Sequence, residues 1–507
     1  MDVGNTRPAQ PTHLRAVTEP LDRSEPALPL NSGRTLASGV VWIGAFRWST
    51  QALTWAVTLL VIRLLSPRDY GIVGMTTFFV AVTSVAAEFG IGSALLALKE
   101  LPLSTARQLH TIAIGTGALA TLLSAAMAWP LSRYFQEPAL TYVLMVLGLS
   151  FCFDGLRVVP VALLSRALEY RKAASVDLVR AITAALVVLF LAWRGAGYWA
   201  LVMGTVLGSA AASLWVFRLR RVACERPRLA SLTEALRFCR HLIVGRVAYY
   251  GYQNSDFLVA GQMFGTVLLG QYNIAWTIAS LPGEKLTNIL SAATAPFFGS
   301  IQHDRQALAS YYLRLTAFLG MVLWPVLFGF LAVADLAIPV ILGEKWTPAV
   351  PVARALIFYA ALQSVSTLNA QILLVTGRSR IGMVSALLAL AILPPAFYFG
   401  GTLGGLIGIA WAWAVGYPLI AVWPLRAVLQ SLQIPLATYL GAFKRAGLMV
   451  LGMVAGVLAV RRAIHPVVSA PAELAIAILA GMLLYGLLCL RFARQDIEVM
   501  LRSLRGR

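Results

Sequence analysis

Residues 256–304 have the sequence DFLVAGQMFGTVLLGQYNIAWTIASLPGEKLTNILSAATAPFFGSIQHD, and this stretch decides the fold class of the chain. It contains two apolar spans joined by a short turn with glycine, and the second span is interrupted by Pro282-Gly283-Glu284-Lys285. A proline, a glycine and two opposite charges inside a membrane-length segment are costly in lipid, and are tolerated where the backbone lines a protein cavity or faces water. The stretch therefore predicts an irregular, cavity-facing helix of a transporter.

The composition requires lipid as the solvent for most of the chain. The 507 residues are 59% hydrophobic and 12% charged, whereas a soluble domain carries about 25% charged residues. Since a membrane-spanning helix needs about 20 apolar residues, the chain divides into about fourteen such stretches. They are 38–65, 70–95, 108–131, 138–163, 173–193, 196–217, 236–259, 267–298, 309–333, 351–375, 381–399, 402–424, 443–461 and 472–490. The division between the eleventh and twelfth stretches is the least marked, and a count of twelve is the alternative.

The formal net charge of +20 is explained by membrane topology rather than by nucleic-acid binding, because basic residues of polytopic proteins concentrate in cytoplasmic loops. Alternate gaps between the spans hold clusters of Arg and Lys, and the intervening gaps hold few, with Arg461 and Arg462 as the exception. The rich gaps and the tail contain Arg166, Arg171, Lys172, Arg218, Arg220, Arg221, Arg226, Arg228, Arg378, Arg380, Arg426, Lys444, Arg445, Arg491, Arg494, Arg502, Arg505 and Arg507. This bias predicts that both termini are cytoplasmic.

Several sequence features exclude other classes of protein. Residues 1–35 are polar and contain no apolar core of a secretory signal peptide, so we expect a disordered cytoplasmic tail. The four cysteines are scattered, without disulfide, metal or redox spacing. A glycine-rich nucleotide loop ending in Lys-Ser or Lys-Thr is absent from the sequence. We therefore expect no metal, no cofactor and no enzymatic activity.

A basic gap over 218–235 divides the chain into two similar halves, because six spans precede it and eight follow. The turns 63–71 and 261–272 occupy the same place in each half, and each ends with a Tyr that opens the next helix. This layout predicts an all-α polytopic membrane protein with an N-terminal lobe (36–217, six helices) and a C-terminal lobe (236–430, six helices). Two extra helices and a basic cytoplasmic tail occupy 431–507.

A series of short motifs follows the same order along residues 36–430. They are Leu64-Leu65-Ser66-Pro67-Arg68-Asp69-Tyr70-Gly71, Gly270-Gln271-Tyr272 with Ala275 and Pro282, Pro296-Phe297-Phe298, Ile301-Gln302, Pro325, Leu342-Gly343-Glu344-Lys345-Trp346, and Gln371 with Gly377-Arg378. Together they resemble the Wzx-type polysaccharide flippases, in the lipopolysaccharide and colanic-acid exporter branch. The resemblance implies the multidrug/oligosaccharidyl-lipid/polysaccharide exporter fold, with two six-helix lobes around a central cavity in a bacterial inner membrane.

The resemblance also implies a function. It is translocation of an undecaprenyl-pyrophosphate-linked oligosaccharide by alternating access, for polysaccharide export. The implied partners are that glycan, the bilayer and, as a candidate, a polysaccharide polymerase; no nucleic acid is expected. Trp276-Thr277 stand where related lipid II flippases commonly carry a basic residue, which argues against lipid II as substrate.

Two alternative functions predict different features. A drug or organic-cation antiporter of the same fold should have an anionic cavity, whereas Arg47, Arg157 and Arg246 suggest a cationic one. A membrane-embedded polysaccharide polymerase or glycosyltransferase should have a large loop or a soluble domain. Internal gaps here reach only roughly twenty residues, close to ordinary connections.

Two arginines lie deep within predicted spans. Arg47 lies about nine residues inside the first span, roughly 13 Å at 1.5 Å per residue, and Arg246 lies at a similar depth in the seventh. Intramembrane ionisable residues face the protein interior and mark transport pathways, and guanidinium groups bind phosphate bidentately. One arginine from each lobe would form a pyrophosphate clamp; a structural ion pair with a buried carboxylate is the alternative.

Charged residues in the first lobe are further candidates. Asp154 and Arg157 are three positions apart, so they share a helix face; Arg157 is a candidate substrate contact and Asp154 a candidate coupling group, and mutual neutralisation is the simpler interpretation. Asp177 and Arg180 repeat this spacing nearer the membrane interface. Glu88 is a candidate coupling carboxylate or the partner of Arg47.

The second lobe supplies the remaining candidates. Pro282 and Glu284 would form a hinge that carries Lys285 to the substrate, or only a packing kink. Asp256 would bind a cation or sugar, or cap the turn that follows. The polar residues of the tenth span would contact sugar hydroxyls, or bond between helices. They are Gln363, Ser364, Ser366, Thr367, Asn369 and Gln371, of which Gln363 and Asn369 are the candidate substrate contacts.

Overall fold

The computed structural model describes residues 55, 57–97, 102–167, 169–465 and 468–492, and the side chains of all of these except 97, 229–242, 284, 285, 287–293, 295 and 296. The described regular elements are helices, as the sequence predicts. They are α1 (57–64), α2 (Pro67–Glu88), α3 (Ile91–Ala97), α4 (Leu103–Phe135), α5 (Ala139–Arg166), α6 (Tyr170–Trp193), α7 (Tyr198–Leu219), α8 (Leu229–Ser300), α9 (Arg305–Ala337), α10 (Ala349–Ser366), α11 (Asn369–Val375), α12 (Ser379–Leu432), α13 (Leu436–Ile464) and α14 (Ala470–Phe492). A π-helical turn (Ile338–Leu342) and a 3-10 turn (Glu344–Trp346) join α9 to α10.

Two of these helices reverse direction at glycines. The 72-residue α8 leaves helical geometry at Gly265, where φ is 72°, and the 54-residue α12 does so at Gly404 and Gly405. Glycine has no Cβ, so it adopts this left-handed backbone at little steric cost. Each element therefore contains two arms, 229–264 with 266–300 and 379–403 with 406–432. The predicted division between the eleventh and twelfth spans is confirmed.

The helices are long enough to cross a membrane. Ten helical stretches among the described residues meet the length and hydropathy that a span requires. Counting both arms of α8 and of α12, each predicted span has a helix in the structure, the first one only over 57–64. Successive helices alternate in direction, so their ends lie at two faces. We call the face with the reversals of α8 and α12 the hairpin face, and the opposite face, with residues 220–228, the linker face.

The helices form two lobes and an appended pair. We call α1–α7 the N-terminal lobe and α8–α12 the C-terminal lobe. The largest contact between them joins α2 to α8. The two extra helices, α13 and α14, pack against α9 of the C-terminal lobe.

A charge cluster at the hairpin face fixes the two extra helices. Asp335 of α9 accepts hydrogen bonds from Arg354 of α10 at 2.6 Å and from Arg461 of α13 at 2.7 Å. The Nε atom of Arg461 also lies 3.1 Å from Glu473 of α14, which bonds His465 at 2.8 Å. Arg461 was the exception to the charge bias of the sequence. The carboxylates of Asp335 and Glu473 neutralise Arg461, which explains why this arginine lies at the face whose gaps hold few basic residues.

The structure corrects the expected interruption of the second span of residues 256–304. The backbone is helical from 266 to 300, through Pro282 and Gly283. A proline removes one backbone hydrogen bond, but unpaired backbone groups in lipid cost several kcal/mol each, so the flanking turns stay helical. The interruption lies instead in the equivalent helix of the N-terminal lobe. There α2 gives way to α3 at Phe89 and Gly90, with φ of 49° and 67°.

The basic linker is held against the N-terminal lobe. Residues 220–228 are not helical. The backbone N–H of Glu225 donates to Thr111 Oγ1 at 3.0 Å, and that of Arg228 donates to Gln108 Oε1 at 3.0 Å. Both acceptors lie on α4, so the linker follows the surface of the lobe before α8 begins.

Candidate functional site

The two lobes meet where α2 packs against both arms of α8, an interface that we call the seam. At the hairpin face their backbones touch. A Cβ on Gly71 would overlap the carbonyl oxygen of Thr266, and a Cβ on Gly270 would overlap that of Pro67. Only residues without a side chain permit so close an approach of two helices. The seam at this face is therefore closed by backbone contact.

Lys345 strengthens the closure from the connection between α9 and α10. Its Nζ donates to the carbonyl oxygens of Arg63 at 2.6 Å and of Leu65 at 2.7 Å. These carbonyls belong to the end of α1, where a helix leaves its last acceptors without backbone partners, and a cation is favoured there by the helix dipole. Partial burial holds the pKa of the Lys345 ammonium below its ordinary value, and the nearby Asp69 carboxylate opposes this shift only in part.

Trp346 completes the contact beside Lys345. Its side chain is fully buried, and its Nε1 donates to the carbonyl of Ile62 at 3.1 Å. Its ring meets Tyr70 edge-on, with the centroids 5.6 Å apart. In return, Arg63 donates to the carbonyl of Val340 at 3.0 Å. The side chains of Arg63 and Tyr70 from one lobe and of Lys345 and Trp346 from the other thus form a polar and aromatic contact, which we call the latch.

Asp69 fixes the turn that carries this latch. Its Oδ2 accepts from the backbone N–H of Ser66 at 2.8 Å, and Ser66 Oγ in turn accepts from the Asp69 N–H at 3.3 Å, which together form a capping box at the start of α2. Its Oδ1 accepts the backbone N–H of Tyr198 at 2.9 Å. One carboxylate therefore ties the starts of α2 and α7 together.

Arg246 crosses the seam toward the linker face. Its Nη1 lies 3.6 Å from Glu88 Oε2, and its Nη2 donates to Ser93 Oγ at 3.3 Å. The two charged side chains are 38% and 39% exposed, so the protein does not enclose the pair. The sequence offered Arg47 as the partner of Glu88, and Arg47 lies outside the described residues. The structure gives Glu88 a partner from the other lobe, and the Arg47–Arg246 clamp stays a prediction.

Arg157 forms a small ion cluster inside the N-terminal lobe. It donates to Asp154 at 3.1 Å and to Asp177 at 3.4 Å. The predicted pairing of Asp154 with Arg157 is confirmed, whereas Asp177 pairs with Arg157 rather than with Arg180, three positions along its own helix. The Nε atom of Arg157 is buried without a hydrogen-bond partner among the described residues. The substrate role of Arg157 and the coupling role of Asp154 stay predictions.

Asp256 is enclosed in the core of the C-terminal lobe. Its side chain is fully buried, and its carboxylate accepts from Tyr272 at 2.6 Å, from Trp413 at 2.9 Å and from the Phe257 N–H at 2.9 Å. The interpretation as a cap of the following turn is wrong, because these donors come from helix interiors. Within the described part of the chain, no Lys, Arg or His forms an ion pair with it. A coupling role stays a prediction.

The polar residues of α10 and α11 mostly bond to neighbouring helices or to their own. Tyr312 donates to Asn369 Oδ1 at 2.7 Å, and Thr294 donates to Gln371 at 2.7 Å. Ser364 donates to a carbonyl one turn back. Asn369 is buried, so its geometry fits the interhelical alternative in this conformation. Gln363 is half-buried, and its substrate role stays a prediction.

The hinge residues can be placed only in part. Pro282 lies within the helical second arm of α8, and the side chains of Glu284 and Lys285 lie outside the described residues. The sequence places the latch residues Lys345 and Trp346 in a family motif but does not by itself predict a function for them. A signal was present, since Lys345 is one of the few basic residues of the sparse gaps.

Comparisons with known proteins identify the family. The family model described as "Polysaccharide biosynthesis protein" matches residues 60–351, more than half of the chain. The chain is 24% identical over 398 residues to the lipopolysaccharide biosynthesis protein WzxC of Escherichia coli (strain K12), which covers 75% of this chain and 78% of that protein.

Solved structures share the fold. The lipid II flippase MurJ in an inward closed conformation matches with a TM-score of 0.71 at 14% identity, over 88% of this chain and 98% of that one. An inward-facing multidrug resistance MATE transporter of the MOP superfamily matches with a TM-score of 0.60 at 14% identity, over 75% and 94%. The fold implied by the sequence motifs is thus confirmed, and the chain belongs to the polysaccharide biosynthesis protein family of all-helical membrane proteins.

Proposed function

We propose that this protein is a flippase that translocates an undecaprenyl-pyrophosphate-linked oligosaccharide across the bacterial inner membrane for polysaccharide export. Membership of the family and the transporter fold support this proposal. The linker face is then cytoplasmic, because the clusters of basic residues lie there, and both termini are cytoplasmic too. Translocation requires no bond to be made or broken, and a polysaccharide polymerase is a candidate partner downstream.

The position of Arg246 carries the proposal. A pyrophosphate must find cations inside an apolar slab about 30 Å thick, and Arg246 lies within a predicted span, at the seam, with its side chain 38% exposed. Its present partner holds it weakly, since exposed ion pairs contribute about 0–1 kcal/mol. A phosphate group accepts bidentate, charge-assisted bonds from guanidinium, which are about twice as strong as neutral ones. The pyrophosphate of the cargo would therefore displace Glu88.

Displacement of Glu88 suggests how binding drives the change of access. In the predicted clamp, pyrophosphate held by Arg246, which lies toward the linker face, and by Arg47 would bridge the two lobes and draw them together. A ligand shifts a conformational equilibrium only through its different affinity for the two states. The bridge exists only when the linker face is closed, so cargo binding would favour the state in which the hairpin face opens.

Translocation in proteoliposomes tests the proposal. We expect the wild type to move an undecaprenyl-pyrophosphate-linked oligosaccharide between leaflets, and Arg246→Gln to be at least about tenfold slower, because hydrogen bonds to charged groups contribute about 1.5–3 kcal/mol. Arg171→Gln removes the same charge from an exposed site at the linker face and should act as wild type. Absence of translocation by the wild type, together with exchange of an organic-cation dye for protons, would instead identify an antiporter.

A further inference from the structure

A second basic site lies at the linker face of the C-terminal lobe, away from the seam. It is a cavity of about 310 Å³ among the ends of α8, α9, α11 and α12. Arg305 opens α9 and Arg378 precedes α12, and both line this cavity with Gln302 and Thr376. A volume near 300 Å³ is at the lower end of ligand-binding pockets. The cavity is therefore large enough for a small headgroup.

The charge of the cavity is positive and little compensated. Among the described side chains, neither Arg305 nor Arg378 forms an ion pair, and Arg378 has only a long contact of 3.5 Å with the carbonyl of Ala427. Asp304 precedes Arg305 in sequence, and its Oδ1 accepts the backbone N–H of Ala307 at 2.9 Å. The two guanidinium groups are therefore available to an anion.

The rest of the lining is apolar or already bonded. Leu308 and Leu432 are buried beside the arginines. The hydroxyl of Thr376 donates to the carbonyl of Ile372 at 2.7 Å. Cationic groups above an apolar wall suit an amphipathic ligand, and basic pockets between membrane helices on the cytoplasmic side bind phosphate headgroups.

We propose that this cavity binds the phosphate of a lipid in the leaflet at the linker face, through Arg305 and Arg378. Guanidinium is the side chain best suited to phosphate, because its planar fork presents paired donors. An anionic phospholipid and the pyrophosphate of a lipid-linked glycan both offer this chemistry. The cavity lies on helices other than the arm that carries Arg246, so it is a separate site from the clamp.

Native mass spectrometry of the full-length protein tests the site. The wild type and the Arg305→Gln/Arg378→Gln double variant are titrated with phosphatidylglycerol in neutral lipid. We expect the double variant to retain about tenfold less of this lipid, since each basic residue near an anionic headgroup contributes appreciably to binding. Arg171→Gln/Arg226→Gln is the matched control, because it removes two exposed charges from the linker face of the other lobe. It should bind as wild type.

Competition then separates the two sources of phosphate. If excess undecaprenyl pyrophosphate leaves the phosphatidylglycerol in place, the site takes a membrane lipid; if it displaces the lipid from the wild type, the site takes the carrier of the cargo. Both results require a phosphate site.

Equal retention of phosphatidylglycerol by the wild type and by the Arg305→Gln/Arg378→Gln variant would overturn the proposal. So would a loss of this lipid in the control variant, Arg171→Gln/Arg226→Gln, as large as the loss in the Arg305→Gln/Arg378→Gln variant. The Arg305→Lys/Arg378→Lys variant keeps both positive charges. Comparing its lipid retention and unfolding temperature with those of the Arg305→Gln/Arg378→Gln variant distinguishes loss of charge from loss of folding. This experiment measures lipid retention and not translocation, so it tests the phosphate site even if the flippase proposal fails.

Discussion

The two ends of the seam are built in opposite ways. At the hairpin face, glycine backbones touch and Lys345 donates to two carbonyls at 2.6 and 2.7 Å. At the linker face, the described polar contacts of Arg246 are a half-exposed ion pair with Glu88, with atoms 3.6 Å apart, and a hydrogen bond to Ser93 at 3.3 Å. Packed contacts of the first kind do not deform gradually, whereas an exposed ion pair contributes about 0–1 kcal/mol. The hairpin face therefore decides which conformation is populated, and the linker face is free to respond to cargo.

One measurement applied to graded variants would test this contrast. Spin labels at Gln136 and Thr402, both exposed at hairpin-face turns of different lobes, report by pulsed electron resonance how often this face is open. Each variant is compared with the wild type by the ratio of open to closed populations in the same detergent, with the native cysteines replaced.

Gly270→Ala should have the largest effect. The added methyl group would overlap the carbonyl oxygen of Pro67, which is backbone and cannot rotate away. Overpacking costs about 1–3 kcal/mol, so we expect the open population to rise by about thirtyfold. Gly441→Ala is the control, because nothing lies within 4 Å of its new methyl group. A closed face in Gly270→Ala would show that the seam is not held by backbone contact.

Lys345→Met should rank second. The substitution keeps the stem of the side chain but removes the donor to Arg63 and Leu65. Because hydrogen bonds from charged groups contribute about 1.5–3 kcal/mol before the relief of desolvation, we expect about a tenfold rise in the open population. Lys444→Met, an exposed lysine at the linker face, should change nothing. Equal behaviour of the two variants would remove Lys345 from the latch.

Trp346→Phe should rank third. It removes the hydrogen bond from Nε1 to the carbonyl of Ile62 and leaves a ring in place. A neutral hydrogen bond contributes about 0.5–1.5 kcal/mol, so we expect about a fivefold rise in the open population. Trp423→Phe, at an exposed tryptophan, is the control and should leave the open population unchanged. An effect larger than that of Lys345→Met would mean that aromatic packing, rather than hydrogen bonding, dominates the latch.

Glu88→Gln should have the smallest effect. An exposed pair of this length contributes about 0–1 kcal/mol, so the open population should change by less than about threefold. The same variant should bind inorganic pyrophosphate at least as well as wild type, since the anion no longer competes with a carboxylate for Arg246. Calorimetric titration measures this. Weaker binding would contradict the role of Glu88 as the group that cargo displaces.

The span pattern could be predicted because it depends on local composition. Length and hydropathy determine where a helix crosses lipid, and the helices of the structure match the predicted stretches. The pair Asp154 and Arg157 was also predictable, because three-residue spacing places both on one helix face. The reversal at Gly404 and Gly405 was the most difficult span boundary to predict, because apolar residues continue on both sides of it.

Contacts between distant parts of the chain could not be predicted. Glu88 and Arg246 are far apart in sequence, and no periodicity relates them. The Pro282 motif was a misleading signal, because a proline inside a long helix removes one hydrogen bond without ending the helix. The actual interruption at Phe89 requires a left-handed backbone at a non-glycine residue, which is uncommon and leaves little trace in sequence. Burial of Asp256 likewise follows from donors on two helices.

The two glycines of the seam have a consequence for sequence divergence. Each glycine faces main-chain atoms of the other lobe, and every residue type carries the same main chain. A side chain gained at Gly71 therefore cannot be accommodated by any substitution at Thr266, and the same holds for Gly270 and Pro67. In an alignment of homologues, we expect each glycine to be fixed independently, without covariation between the partners. Pairs joined by side chains, such as Glu88 and Arg246, are free to exchange together.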